Sequence, residues 1–213
     1  MASDSFRCAP PPNLLLVVSG SSGAGKDAVI DRMKQLRIPV AHVVTATTRQ
    51  QRPTEVDGIH YHFLSVERFN QMVERGEMLE WARVYDNFYG VPRFAVAEAL
   101  RSGKDVVVKV DVQGAATIRR TVPGAVLIFI QPPSMQELEV RLRNRRSESD
   151  AEIAVRLGKA VHEYEQLCLF DYVLTNYADH LDDVVDQIRA IITAEKLRVA
   201  PRRVELDDSR PAR

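Results

Sequence analysis

Short apolar, β-branched runs recur at residues 14–18, 40–44, 106–110, 126–130 and 172–174, and none of them alternates with polar residues. Strands covered on both faces read this way, so the runs predict a parallel sheet. Between them apolar positions return at helical spacing: Val29, Ile30, Met33 and Leu36; then Ile153, Leu157 and Val161; then Val184, Val185, Ile188, Ile191 and Ile192. Two helix starts are marked by a serine with a glutamate three residues on, Ser134 with Glu137 and Ser149 with Glu152, the spacing of a capping box. The pattern predicts an α/β fold, a central five-stranded parallel sheet with helices on both faces.

One segment breaks the pattern. Ile59, Tyr61 and Phe63 alternate with His60 and His62, which predicts a half-exposed antiparallel strand. It sits in an insertion, residues 45–98, between two parts of the core. Residues 1–12, ending in three prolines, and the charge-dense residues 201–213 are expected to be frayed tails around one domain spanning 13–200. A core domain carrying a small β-containing subdomain suits two substrates that meet at a cleft.

Composition narrows the possibilities. The 213 residues are 45% apolar and 27% charged, as in a soluble globular protein. Lys and Arg number 29 and Asp and Glu 29, so no overall basic field draws the protein to nucleic acid or to a membrane. Anion binding must then come from local geometry. Cys8 and Cys168 make no disulfide framework and are read as free thiols in a reducing compartment. The early run at 14–18 is five residues long and follows the acidic Asp4, so neither a signal peptide nor a membrane span is expected, and the expected location is cytoplasmic.

The first run leads into Gly20, Ser21, Ser22, Gly23, Ala24, Gly25, Lys26 and Asp27, and an amphipathic helix follows. Glycine, four residues, glycine and lysine between a strand and a helix is the arrangement of a phosphate-binding loop. Glycines let consecutive backbone N–H groups turn toward phosphate oxygens, the helix start adds positive potential, and Lys26 reaches the outer phosphates. The pattern normally ends in Ser or Thr, whose hydroxyl ligates Mg²⁺. Here it ends in Asp27, which is either a carboxylate ligand for Mg²⁺ beside a triphosphate or a helix N-cap.

A second anion site is suggested by Arg49 and Arg52, three apart, ahead of Asp57-Gly58 and Tyr61. Guanidinium forks suit a dianionic phosphate, and a tyrosine adds a neutral donor. Glu80 and Tyr89 follow. A carboxylate accepts both N1–H and N2–H of guanine, whereas adenine offers an acceptor at N1 and mismatches. Read without a motif, Tyr61 and Tyr89 are equally core aromatics, Glu80 a surface group, and Arg141, Arg143, Arg145 and Arg146 a solvated face, a nucleic-acid patch or a phosphate clamp. His60 and His62 lie on one polar face with no cysteine or carboxylate cluster, so no metal is expected there.

These residues, with Thr47, Thr48, Phe63, Trp81, Gly90, Gln113 and Gly114, resemble the guanylate kinases, P-loop nucleoside monophosphate kinases, over about residues 14–197. The resemblance implies a core of residues 13–44, 99–140 and 157–197, a GMP-binding insertion over 45–98 and a short helical lid over 141–156. It implies ATP and GMP as substrates, Mg²⁺ with ATP, and γ-phosphate transfer by a monomer or homodimer. The GMP phosphate is then held by Arg49, Arg52, Tyr61 and Tyr89 and the guanine by Thr45, Glu80 and Asp111. Lys26, Arg49, Arg145 and Arg156 serve the transfer, and Asn176 lies near the adenine. Two other readings are a ribose 1,5-bisphosphate phosphokinase, to which Asp27 points, and a non-catalytic interaction module, against which Lys26 stands.

Three positions depart from the family pattern: Asp27, Val91 after Tyr89-Gly90, and Lys109 in place of an acidic residue two before Asp111. Asp27 and Lys109 exchange charge as a pair. The exchange predicts that Asp27 supplies the missing carboxylate and that the Lys109 ammonium pairs with it or reaches a phosphate.

Overall fold

In chain order, β1 (Leu15–Gly20) leads into α1 (Lys26–Gln35) and β2 (Val40–His42). The insertion carries β3 (Ala46–Thr47), β4 (His62–Phe63), α2 (Val66–Glu74), β5 (Met78–Val84) and β6 (Asn87–Pro92). Then come α3 (Arg93–Arg101), β7 (Asp105–Lys109), α4 (Val112–Thr121), β8 (Val126–Gln131), α5 (Met135–Asn144), α6 (Asp150–Glu165), β9 (Tyr172–Thr175) and α7 (Leu181–Lys196). This computed structural model describes residues 10–84, 86–144 and 149–206.

Five strands in the order β2-β7-β1-β8-β9 form the central sheet, and every neighbouring pair is parallel. The unbroken apolar runs have a direct cause. Leu14, Leu16 and Val18 face a layer built with Val29 and Met33 of α1 and Val184, Val185 and Ile188 of α7. Leu15 and Val17 face the opposite layer, with Val96 of α3 and Ala115 and Ile118 of α4. Each large side chain so buried contributes about 1.5–3 kcal/mol, which makes the two-sided strand pattern the dominant signal in the sequence.

The insertion folds on a second sheet in the order β4-β3-β6-β5, over a small core of Ala46, Phe69, Met72 and Met78. Thr47 Oγ1 donates to Phe88 O (3.0 Å) and Phe88 N donates to Thr48 Oγ1 (2.9 Å), fastening β3 to β6. The antiparallel strand expected around residues 59–63 is a two-residue strand, His62–Phe63, and it pairs parallel to β3. The alternation there has another origin. Ile59 is 62% exposed, and His60 Nδ1 accepts from Val56 N (2.9 Å) in a turn that presents Tyr61 to the cleft. Of the two expected capping boxes, Ser149 and Glu152 form both halves. Glu137 N donates to Ser134 Oγ, but the Glu137 carboxylate accepts from Arg141 Nε instead of closing the second half.

The amino ends of the strands are fastened by buried charge. Asp105 accepts from Leu14 N (2.9 Å) and pairs with Lys196 (2.8 Å). Asp171 accepts from Leu127 N, from Arg119 (2.7 Å) and from Arg202 (3.1 Å). Arg202 also donates to Glu195 (2.9 Å), a carboxylate 1% exposed. Residues 201–206, expected as part of a frayed tail, are thus anchored on the core, where Val204 and Leu206 pack against the α3/α4 layer.

Candidate active site

The phosphate loop stands at the carboxyl end of the sheet, between β1 and α1. Gly25 is the N-cap of α1, in a left-handed conformation (φ 92°) with no side chain capping the helix. The first amides of α1 therefore remain available to an anion. Asp27 stands inside the first turn and not at the N-cap. A Cβ on Gly25 would lie 2.3 Å from Asn176 Nδ2. Asn176 is buried beneath the loop and donates to Ala24 O (2.9 Å), so its amide, expected near the adenine, seats the loop on the end of β9. Lys26 Nζ bends back to donate to Gly20 O (2.6 Å) and Ser21 O (3.0 Å), and burial pulls its pKa below the usual lysine value. Arg156 reaches across from α6 and donates to Ser22 Oγ (2.7 Å).

Across the cleft, Arg49 Nη2 pairs with Glu55 Oε1 at 2.6 Å and Nη1 donates to Gln50 O at 2.7 Å. Its guanidinium lies 5.6 Å from the centre of the Tyr61 ring, which meets the Tyr89 ring edge-on. Arg52 N donates to the other oxygen of Glu55 (2.9 Å). Glu55 was not among the residues singled out from the sequence. One carboxylate placed after both arginines was the available signal, and it folds the segment so that both arginines and both tyrosines line a groove of about 940 Å³.

That groove adjoins a smaller cavity of about 210 Å³ lined by Thr45, Tyr61, Glu80, Tyr89 and Asp111, with Lys26, Asp27 and Lys109 also on its wall. Glu80 is 4% exposed, and burial, with Asp111 nearby, holds its carboxyl well above the usual carboxylate range. Its Oε2 lies 2.4 Å from where a Cβ on Gly114 would be. Asp111 caps α4 by accepting from Gly114 N (2.8 Å). A third cavity, about 400 Å³, is lined by Gly20, Ser22, Arg156 and Glu163 and shares Lys26, Val84 and Asp111 with the small one. Two binding spaces thus meet at Lys26.

Lys109, at the end of β7, donates to the Asp27 carboxylate, and its Nζ lies 3.3 Å from Tyr61 Oη. Burial alone would lower its pKa, but Asp27 and Tyr61 outweigh burial and raise it, so the ammonium is charged. The charge exchange expected from the sequence is therefore a contact. The Asp27 carboxylate is a hard oxygen donor beside Lys26, of the kind that Mg²⁺ takes in ones and twos alongside nucleotide phosphates and water. Among the described residues no group of three or more His, Cys, Asp and Glu forms a metal site of its own.

The family model for guanylate kinase matches residues 13–195. The chain belongs to the guanylate kinase family. It is 44% identical over 186 residues to the guanylate kinase of Desulfitobacterium hafniense (strain Y51), covering 87% of this chain and 92% of that one. It is 46% identical over 190 residues to that of Caldanaerobacter subterraneus subsp. tengcongensis, covering 87% and 89%. The crystal structure of guanylate kinase from Anaplasma phagocytophilum superposes with a TM-score of 0.71 at 29% identity, covering 89% of each chain. Guanylate kinases are ATP:GMP phosphotransferases, nucleoside monophosphate kinases. Of the site residues expected of such a kinase, the fold brings Lys26, Asp27, Thr45, Tyr61, Glu80, Tyr89 and Asp111 around one cavity, with Arg49 and Arg52 along the adjoining groove and Arg156 at the phosphate loop. Arg145 lies outside the described residues. Among the described residues, no helix is long and apolar enough to cross a membrane.

Proposed function

We propose that the chain transfers the γ-phosphate of ATP to GMP, giving ADP and GDP, as a step of purine nucleotide recycling. One observation carries the reading: two binding spaces meet at Lys26, and one of them ends in the buried carboxyl of Glu80. A carboxylate there accepts both pairing-edge donors of guanine, and Thr45 and Asp111 complete the base pocket. A sugar-phosphate acceptor leaves Glu80 without a purpose, even though Asp27 suits that alternative.

The acceptor phosphate is already anionic, so attack by its oxygen on the γ-phosphorus of ATP needs no covalent intermediate and no strong base. The work left to the protein is to hold two highly charged groups in line. Arg49, set by Glu55, and Arg52 bind the acceptor phosphate together with Tyr61 and Tyr89. The α1 amides, Lys26, Arg156 and Arg145 hold the donor phosphates. Asp27 would hold the Mg²⁺ that accompanies ATP, which would supply positive charge to offset the donor phosphates. The insertion (45–98) and the lid (141–156) close over both substrates and exclude water, which limits idle hydrolysis of ATP. The enzyme works in the cytoplasm, as a monomer or homodimer, on nucleotides and not on nucleic acid or membranes.

The test is an ADP-release assay with GMP, AMP, IMP and ribose 1,5-bisphosphate as acceptors. GMP is expected to dominate, and IMP, lacking the 2-amino group, to lose most of the rate. Dominant turnover of any other acceptor overturns the reading.

A further inference from the structure

We propose that Lys109 is a ligand of the acceptor phosphate, stored on Asp27 in the free enzyme and handed to the phosphate when GMP binds. The inference rests on GMP being the acceptor.

Lys109 lines both the small cavity that ends at Glu80 and the large groove that holds Arg49 and Arg52, so it stands where base and phosphate spaces join. Its ammonium touches Tyr61 on the acceptor side and Asp27, the residue after Lys26, on the donor side. A phosphate bound by Tyr61 is therefore within reach of Nζ after a small rotation of a flexible four-carbon stem. The two partners of Lys109 differ in grip. Its own side chain is 27% exposed, but that of Asp27 is 75% exposed, and ion pairs to an exposed carboxylate are weak. A dianionic phosphate enclosed by arginines and tyrosines offers more charge in a drier place. Arg49 is meanwhile shared with Glu55, which offsets part of its charge and leaves the acceptor phosphate in need of a further cation.

Storage on Asp27 has a consequence that a purely structural ion pair lacks: the carboxylate competes with GMP for the ammonium. Removing the lysine and removing the aspartate must then shift GMP affinity in opposite directions. The experiment is calorimetric titration of the full chain with GMP and with guanosine, without ATP and without Mg²⁺. Lys109→Met is expected to weaken GMP about tenfold or more, the loss of one charge-assisted contact, while guanosine binds within about twofold of wild type. Asp27→Asn is expected to tighten GMP a fewfold and to leave guanosine unchanged. Equal GMP affinity in Lys109→Met and wild type overturns the proposal, as does a parallel loss of guanosine, which marks a collapsed pocket. Weaker GMP binding in Asp27→Asn overturns it too, and that variant keeps the question answerable if Lys109→Met does not fold. A wild-type chain that ignores GMP altogether is a failure of the GMP reading itself, and is seen before any variant is compared.

Discussion

Glu80 on β5 occupies the space that a side chain on Gly114 of α4 would need, with Oε2 2.4 Å from the position of that Cβ. The proposed base pocket therefore depends on a glycine that lies on a different element from the carboxylate beside it. Gly114→Ala is expected to push Glu80 toward the cavity and to lower kcat/KM for GMP about 10²-fold, the scale of a misplacement near 1 Å. The KM for ATP should hold within a fewfold. Steady-state kinetics with each substrate varied in turn will check both.

The same carboxyl is expected to make GMP binding depend on pH. Burial, with Asp111 nearby, raises its folded pKa, so the free protein keeps the proton while the unfolded chain loses it near 4.3. The resulting stability is fully present below the unfolded value and is lost as pH rises through the folded one. Wild-type melting temperature should fall over that interval, and GMP affinity should rise, because guanine needs the ionised form. Glu80→Gln should flatten both profiles and weaken GMP by about 10²-fold or more. Melting scans and GMP titrations from about pH 4 to about pH 9, which spans the unfolded value and the range open to a buried glutamate, decide it.

Arg49→Ala is expected to raise the KM for GMP about 10²-fold, since it removes the paired fork at the acceptor phosphate. Glu55→Gln should raise it about tenfold, because Glu55, itself on the wall of the groove, holds Arg49 and the Arg52 amide in place, and that loss outweighs the charge it takes from Arg49. Near-normal GMP kinetics in Arg49→Ala contradict the assignment.

Lys26→Met should act on the other parameter. With the ammonium gone from the junction of the two spaces, kcat is expected to fall about 10³-fold while the KM for GMP stays within a fewfold.

Arg202→Ala tests the anchored C-terminal segment. It leaves Glu195, 1% exposed, short of a partner and is expected to cost about 2–4 kcal/mol, read as a lower urea midpoint with unchanged kinetics at low temperature. Asp171 is held below the usual carboxylate range because Leu127 N, Arg119 and Arg202 outweigh its burial. That contribution is present above the unfolded pKa and is lost as pH falls through the folded one, so the variant should differ least from wild type in acid.

Much of this was legible in the sequence because the strongest forces leave the plainest marks. The central strands are apolar on both faces, and a loop that must wrap a phosphate needs Gly20, Gly25 and Lys26 in fixed order. The exchange of charge between Asp27 and Lys109 was readable as two departures of opposite sign. Other features were not. The alternation at residues 59–63 comes from one turn with an exposed Ile59 and a tyrosine aimed at the cleft, which imitates a strand. Glu55 resembled any loop carboxylate until Arg49 was seen against it. The role of Arg202 depends on Asp171, 31 residues away, and composition made that segment look like a solvated tail.

The buried ion pairs at the amino ends of the strands make the molecule asymmetric in restraint. Asp105, Asp171 and Glu195 tie β1, β7, β8, β9 and α7 together there, and none of the three lines the cavities described above. At the opposite ends, Lys26, Lys109 and Arg156 spend their hydrogen bonds on the loop, on one another's neighbours and on Asp27, all within reach of the substrate spaces. The sheet works as a vice with one fixed jaw. Restraint is thus concentrated at the amino ends of the strands, while the side chains that line the cavities at the carboxyl ends are held by few and partly exposed bonds.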